Sequence, residues 1–316
     1  MEKKRLGILF LLAAVFLWGP APVITKLALL EVPQFSLAFL RAVISTAIVF
    51  TLFYKKGYFK VEKRDLKKII AAGLLGSVFN LSFFFLGIQR TSAISAQTIF
   101  TTNPLIIAVL AHVILKEKIG RIQFLGVFVG LLGATIVALR DVFENGSFQS
   151  GSLLGNFLIL LAALSWVGYI LLSKSLSHRY SPITITSFSF LVSLFAFTPL
   201  AVWENWEKFN WIANLGFNGI FGIVYQGIFA SVLAFLAYQT GLKLTSAFAS
   251  GVILYLNPVV TTLVAVPVLG EKITPVFLIG ATLIIVGSAV ATQFEVVKHH
   301  VKKRLNLKKI FNISRR

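Results

Sequence analysis

Asparagine followed by proline occurs at Asn103-Pro104 and again at Asn257-Pro258, 154 residues apart and each time inside an apolar stretch. Proline has no N–H to give a helix and its ring clashes with the preceding turn, so each pair interrupts a helix. The carbonyls near Ile99 and Ile253 then lose their helical partners. At membrane depth such groups need protein, water or a solute. The chemistry that these residues offer is noncovalent: holding a small polar molecule between amides and freed backbone. The competing reading is a pair of structural kinks in which each asparagine bonds its own backbone.

The pairs belong to an internal duplication. GIQRTSAISAQTIFTTNPLI in the first half is echoed by GLKLTSAFASGVILYLNPVV in the second, and residues 73–139 share 17 identities with 227–293 over 67 ungapped positions. Trp18 and Trp166 form a second equivalent pair near the middle of their helices, where an indole N–H wants an acceptor; a polar cavity and plain aromatic packing both explain them. Asn80, Gln97, Thr101, Tyr169, Tyr225, Gln226, Tyr238 and Tyr255 add amides and hydroxyls on the same helices, available to a substrate or to interhelical hydrogen bonds. Arg41, about two turns inside its helix, is a costly charge that must face water, a partner or a ligand. Glu31 is one such partner; snorkelling to the surface is another escape.

Machinery for bond-making is not visible. The 11 Asp and Glu fall in loops or at helix ends, cysteine is absent, and no phosphate-binding GxxxxGK[ST] loop or HExxH metal motif occurs. His112 is the one intramembrane histidine, near a helix end. No cofactor or metal is expected.

The elements that must position these residues are membrane helices. With 57% hydrophobic residues, 13% charged and a mean hydropathy of +0.86, the chain has too little polar surface to be soluble. Apolar runs near 6–29, 35–54, 69–89, 92–115, 121–139, 153–175, 184–203, 215–239, 246–269 and 275–294 are each long enough to span a bilayer. The expected fold is an all-α integral membrane protein of ten transmembrane helices. Residues 1–145 form one five-helix repeat, 146–296 a second, and 297–316 a basic tail. Five crossings per repeat is an odd number, so the second repeat enters the membrane inverted.

The net charge of +19 does not imply nucleic acid. If the N-terminus is cytoplasmic, 24 of the 30 Lys and Arg fall on the inner side, which places both termini in the cytoplasm of a cell membrane. The inner face and the tail then suit anionic lipid. Gly126, Gly130, Gly133, Gly280 and Gly287 form small-residue faces for close helix packing, within the chain or in a homodimer.

WGPAPVITKLAL at 18–29, FLRAVIST around Arg41, TSA followed by NP in each half, and the two EKI turns together resemble EamA-type transporters of the drug/metabolite transporter superfamily. The resemblance covers residues 6 to about 294. It implies ten helices in two inverted repeats, a cavity lined mainly by helices one, three, four, six, eight and nine, and export of amino acids or other metabolites.

The function expected is thus secondary transport of a small neutral or zwitterionic metabolite, with amino acids foremost, by alternating access around Trp18, Asn80, Gln97, Thr101, Asn103, Trp166, Tyr169, Tyr225, Tyr238, Tyr255 and Asn257. Pro104 and Pro258 would serve as hinges and Arg41 as a vestibule charge. Alternatives are an organic-anion or phosphate-ester exchanger using Arg41, Arg90 and Lys26, a membrane-embedded enzyme, and a non-transporting sensor.

Overall fold

The computed structural model describes residues 2–53, 60–103, 106, 110, 121–139, 143, 150–206, 210–245, 250, 253–287 and 290, and regular structure among them is helical throughout. Six helices are long and apolar enough to cross a bilayer: Arg5–Ala28, Gln34–Phe53, Lys63–Ile88, Leu153–Leu176, Pro182–Glu204 and Phe217–Leu244. Phe124–Val137, Asn257–Leu269 and Pro275–Gly287 are shorter apolar helices. A helix satisfies its own backbone in hydrocarbon, which is why uninterrupted apolar sequence takes this form.

In chain order, α1 (Glu2–Trp18) and α2 (Ala21–Ala28) share the first span, and α3 (Gln34–Phe53) is the second. The third runs through α4 (Lys63–Gly73), a π-helical stretch (Leu74–Phe79) and α5 (Asn80–Ile88). Then come α6 (Ala93–Phe100), α7 (Arg121–Ala138), α8 (Ser150–Leu176) and α9 (Pro182–Glu204). A second broken span joins α10 (Phe217–Val224), a π stretch (Tyr225–Leu233) and α11 (Ala234–Leu244). A 3₁₀ turn (Leu254–Leu256) precedes α12 (Asn257–Leu269), and α13 covers Pro275–Gly287.

The halves interlock instead of standing side by side. α1 packs along α11, α5 along α8, α3 along α9, and α6 against α12. Exchanging the repeats turns the first of these pairings into the second and leaves the third unchanged, as a two-fold relation requires. α7 meets α13 through glycine: a Cβ on Gly133 would stand 2.6 Å from the Gly280 carbonyl oxygen. The glycine faces therefore hold the two repeats of one chain together.

The face opposite the N-terminus is fastened by three carboxylates, each set against helix amides of the other repeat. Glu31 accepts from the N–H groups of Gly216 (2.9 Å) and Gly219 (2.7 Å) at the start of α10. Glu204 accepts from Phe35 (3.1 Å) and Ser36 (2.7 Å) at the start of α3. Glu271 accepts from Ala93 (2.6 Å) and Ile94 (3.0 Å) at the start of α6, with the Lys26 ammonium 3.6 Å away. Negative charge is favoured at these exposed N–H groups. Lys26 also donates to the Thr91 carbonyl (2.9 Å), and its equivalent Lys174 to the Thr245 carbonyl (2.6 Å). On the N-terminal face, Asp65 receives Arg179 (3.0 Å) and the Tyr180 hydroxyl (2.8 Å) across the repeats.

Gly133→Ala should lower thermal stability in detergent by about 1–3 kcal/mol, because its methyl would meet backbone that cannot swing away. Thermal unfolding followed by circular dichroism measures it; an unchanged melting curve would refute the close α7–α13 packing.

Candidate functional site

Interrupted helices converge at the centre of the molecule. The first span breaks after Trp18, where Pro20 supplies no N–H, and α2 begins at Ala21. The Leu17 carbonyl accepts from the Tyr225 hydroxyl (2.8 Å) and the Gly19 carbonyl from the Thr261 hydroxyl (2.5 Å). In return, the Trp18 indole donates to the Ala230 carbonyl (2.8 Å), inside the second π stretch. The two π stretches occupy matching places, since Leu74–Phe79 shifted by 154 falls on 228–233, within Tyr225–Leu233. Ser231 returns its hydroxyl to the Gln226 carbonyl (2.6 Å), five residues back. Such widened turns recur at functional sites.

Before Asn103 the helix tightens, and the expected free carbonyl at Ile99 is not free. Thr102 reaches it with its backbone N–H (3.0 Å) and hydroxyl (2.7 Å), while Thr101 does the same to Thr98 (3.0 and 2.6 Å). Threonine carries its own donor one turn down the helix, which sequence inspection at the proline overlooks. In the second half, Leu254–Leu256 forms the equivalent tight turn and Pro258 then opens α12.

These elements enclose a cavity of about 100 Å³. Trp18, Arg41, Asn80, Gln97 and Asn103 line it from the first repeat, and Trp166, Gln226 and Asn257 from the second. Leu81, Phe84, Phe100, Phe235 and Leu254 complete most of the apolar wall. Trp18 meets Trp166 edge to face at 5.3 Å, and Phe235 packs against both at 5.4 and 5.7 Å.

The polar wall is unevenly satisfied. Asn80 gives its amide to the Ala162 carbonyl (2.8 Å). Arg41, 6% exposed, donates to the Gln226 side-chain oxygen (2.6 Å), and its guanidinium stands 5.8 Å from the Phe235 ring centre. Gln226 in turn donates to the Thr25 hydroxyl. Arg41 neither snorkels nor meets Glu31, whose carboxylate is spent on α10. The side-chain oxygens of Asn103 and Asn257 are buried and have no partner among the described residues, so neither bonds its own backbone through that atom. Each such acceptor costs roughly 1–3 kcal/mol until something donates to it.

Other expected site residues stand off the wall. Tyr169 is buried behind Trp166 (5.0 Å), with its hydroxyl accepting from Gln239 (2.5 Å). Tyr238 packs behind Trp18 at 5.3 Å, and Tyr225 and Thr101 are engaged with backbone as above. Arg90 donates to the Leu86 carbonyl (2.5 Å) at the surface and Lys26 is held by Thr91 and Glu271, so these two do not join Arg41. Pro104, the Tyr255 side chain, His112, Glu117 and the tail 297–316 lie outside the described residues. Sequence reading missed Phe235 and Phe100. The repeat could have found both: shifted by 154, Leu81 pairs with Phe235 and Phe100 with Leu254, and all four line the cavity.

Comparisons with known proteins bear on the family and the fold. The family model described as EamA-like transporter family matches residues 5–139 and again 153–293. A relative from Clostridium kluyveri, described as an uncharacterized transporter, is 29% identical over 81% of this chain and 79% of its own length. The uncharacterized transporter YetK of Bacillus subtilis is 28% identical over 91% and 87%. One solved structure, 21% identical, superposes with a TM-score of 0.64 over 91% of this chain and 96% of its own, which speaks for the fold alone.

Tyr225→Phe removes the donor to Leu17 at the helix break. It is expected to cost about 1–3 kcal/mol of thermal stability while leaving apparent substrate affinity unchanged. A drop in affinity with no loss of stability would instead put Tyr225 on the cavity wall.

Proposed function

The chain belongs to the EamA-like transporter family, a transporter and not an enzyme, and on that premise we propose that it moves small polar metabolites, amino acids foremost, through the central cavity by alternating access. The observation that carries this reading is the meeting of four equivalent pairs in one place: Trp18 with Trp166, Asn103 with Asn257, Leu81 with Phe235, and Phe100 with Leu254. A site built by two inverted repeats can be exposed to either side by rocking one repeat against the other. The broken first span and the tight turns before the asparagines are the places where such a motion bends least expensively. Ligand sites for drug-sized molecules run to roughly 300–1,000 Å³, so the cavity of about 100 Å³ suits a small solute or a contracted state.

Among the described residues, none lining the cavity is a carboxylate. This supports facilitated diffusion or exchange over coupling to a proton carried in the site. The lysine and arginine distribution supports cytoplasmic termini in the cell membrane, with anionic lipid against the basic face. Because Arg90 and Lys26 are engaged elsewhere, a broad basic vestibule for phosphate esters has less support.

Reconstituted flux of radiolabelled amino acids tests the proposal. Asn103→Ala, Asn257→Ala and Trp166→Ala are each expected to lower flux by roughly tenfold or more, with the asparagine variants no less stable than the parent. Full flux in all three would sink the cavity reading, and a strict requirement for a pH gradient would sink the uncoupled one.

A further inference from the structure

We infer that Glu31 with the amides of Gly216 and Gly219, and Asp65 with Arg179 and Tyr180, are one latch built twice with its polarity exchanged, and that releasing either one opens the central cavity to the face on which it lies. This rests on the central cavity being the transport site.

The equivalence is positional. Trp18 with Trp166 and Lys26 with Lys174 are 148 residues apart, and the same step carries Glu31 to Arg179 and Val32 to Tyr180. The later helices repeat at 154, which carries Glu62 to Gly216 and Asp65 to Gly219. The contacts obey both steps. On the face opposite the N-terminus, Gly216 and Gly219 donate to Glu31 (2.9 and 2.7 Å). On the N-terminal face, the Glu62 N–H donates to the Tyr180 hydroxyl (3.3 Å), while that hydroxyl and Arg179 donate to Asp65 (2.8 and 3.0 Å).

The carboxylate follows the first span in one latch and stands at the start of α4 in the other. Where the first copy has Asp65 the second has glycine, and Glu31 takes the room: a Cβ on Gly219 would stand 2.7 Å from a Glu31 carboxylate oxygen, and one on Gly216 3.1 Å. One latch thus answers its charge with helix amides and the other with a guanidinium and a phenol.

Their place in the fold makes these latches gates. The first span lines the cavity through Trp18 and Ala21, and the span from α10 to α11 through Gln226 and Phe235; Glu31 clamps their ends together on one face. α8 lines it through Trp166, and the span from α4 to α5 through Asn80 and Leu81; Asp65 clamps these on the other face. Both latches are made in this structure, and the cavity between them is about 100 Å³. The ties from Lys26 to Thr91 and from Lys174 to Thr245 accompany them, but each is a lysine on a threonine carbonyl and so favours neither face. The bias between outward and inward opening therefore lies in the two latches.

Because the chain has no cysteine, one introduced at Ala230 on the cavity wall reports access from either side. A membrane-impermeant thiol reagent is applied to each face of reconstituted vesicles in turn. Asp65→Asn should raise the labelling rate from the N-terminal face by roughly tenfold, as expected for losing a charged hydrogen bond, and lower it from the opposite face. Glu31→Gln should do the reverse. Arg179→Gln should reproduce the first pattern, and Gly219→Ala, whose methyl displaces Glu31, the second, so each latch is tested through both partners even where one variant fails to fold. Unchanged labelling in the folded variants, or a shift toward the same face from both latches, overturns the inference. If access is unchanged while Asn257→Ala and Trp166→Ala abolish flux, the latches fall and the cavity stands. If access shifts as expected while those cavity variants retain full flux, the latches stand and the transport reading falls.

Discussion

A helix broken at membrane depth must find donors for its freed carbonyls inside the protein, because hydrocarbon offers none. The centre of this molecule is arranged around that requirement. Trp18 to Pro20 interrupts the first span, and the donors that repair it, Tyr225 and Thr261, belong to the other repeat. The widened turn that presents Tyr225 has its own irregular backbone, and Trp18 closes it by donating to Ala230. Each interruption supplies what the other lacks. A cavity between them follows, since neither helix can straighten and fill the space without orphaning the other.

Against this well-satisfied backbone, the side chains left incomplete are conspicuous. Thr101 and Thr102 close carbonyls ahead of Asn103, but the asparagine oxygen itself is unmet, as is that of Asn257. Filling both sites with leucine would remove those unsatisfied acceptors. Both asparagines line the same cavity as Arg41, whose hydrogen-bond partner is an uncharged amide.

The duplication made part of this legible. Amides and tryptophans are rare enough in a chain that is 57% hydrophobic for Asn103 with Asn257 and Trp18 with Trp166 to stand out. Leu81 with Phe235 obeys the same relation but disappears among similar residues. The tyrosines were legible as polar and not as to direction: whether a hydroxyl meets a solute or a neighbouring carbonyl depends on the helix opposite, which composition does not reveal. The π stretches leave no mark, because a widened turn and an ordinary one accept the same apolar residues. Arg41 read as a vestibule charge, as snorkelling to the surface or as pairing with nearby Glu31, yet that carboxylate goes to Gly219, 188 residues along the chain. Local spacing cannot anticipate a competitor so far away.

The carboxylate caps on the face opposite the N-terminus also bear on how the protein is made. Helix α3 is complete early in synthesis, but Glu204, which holds the amides of Phe35 and Ser36, comes 168 to 169 residues later. The start of α6 likewise waits for Glu271, more than 170 residues downstream. A nascent first repeat therefore enters the bilayer with two helix ends unfinished, and only translation of the second repeat completes them. The order of synthesis imposes a period during which half of the molecule is inserted but not yet closed.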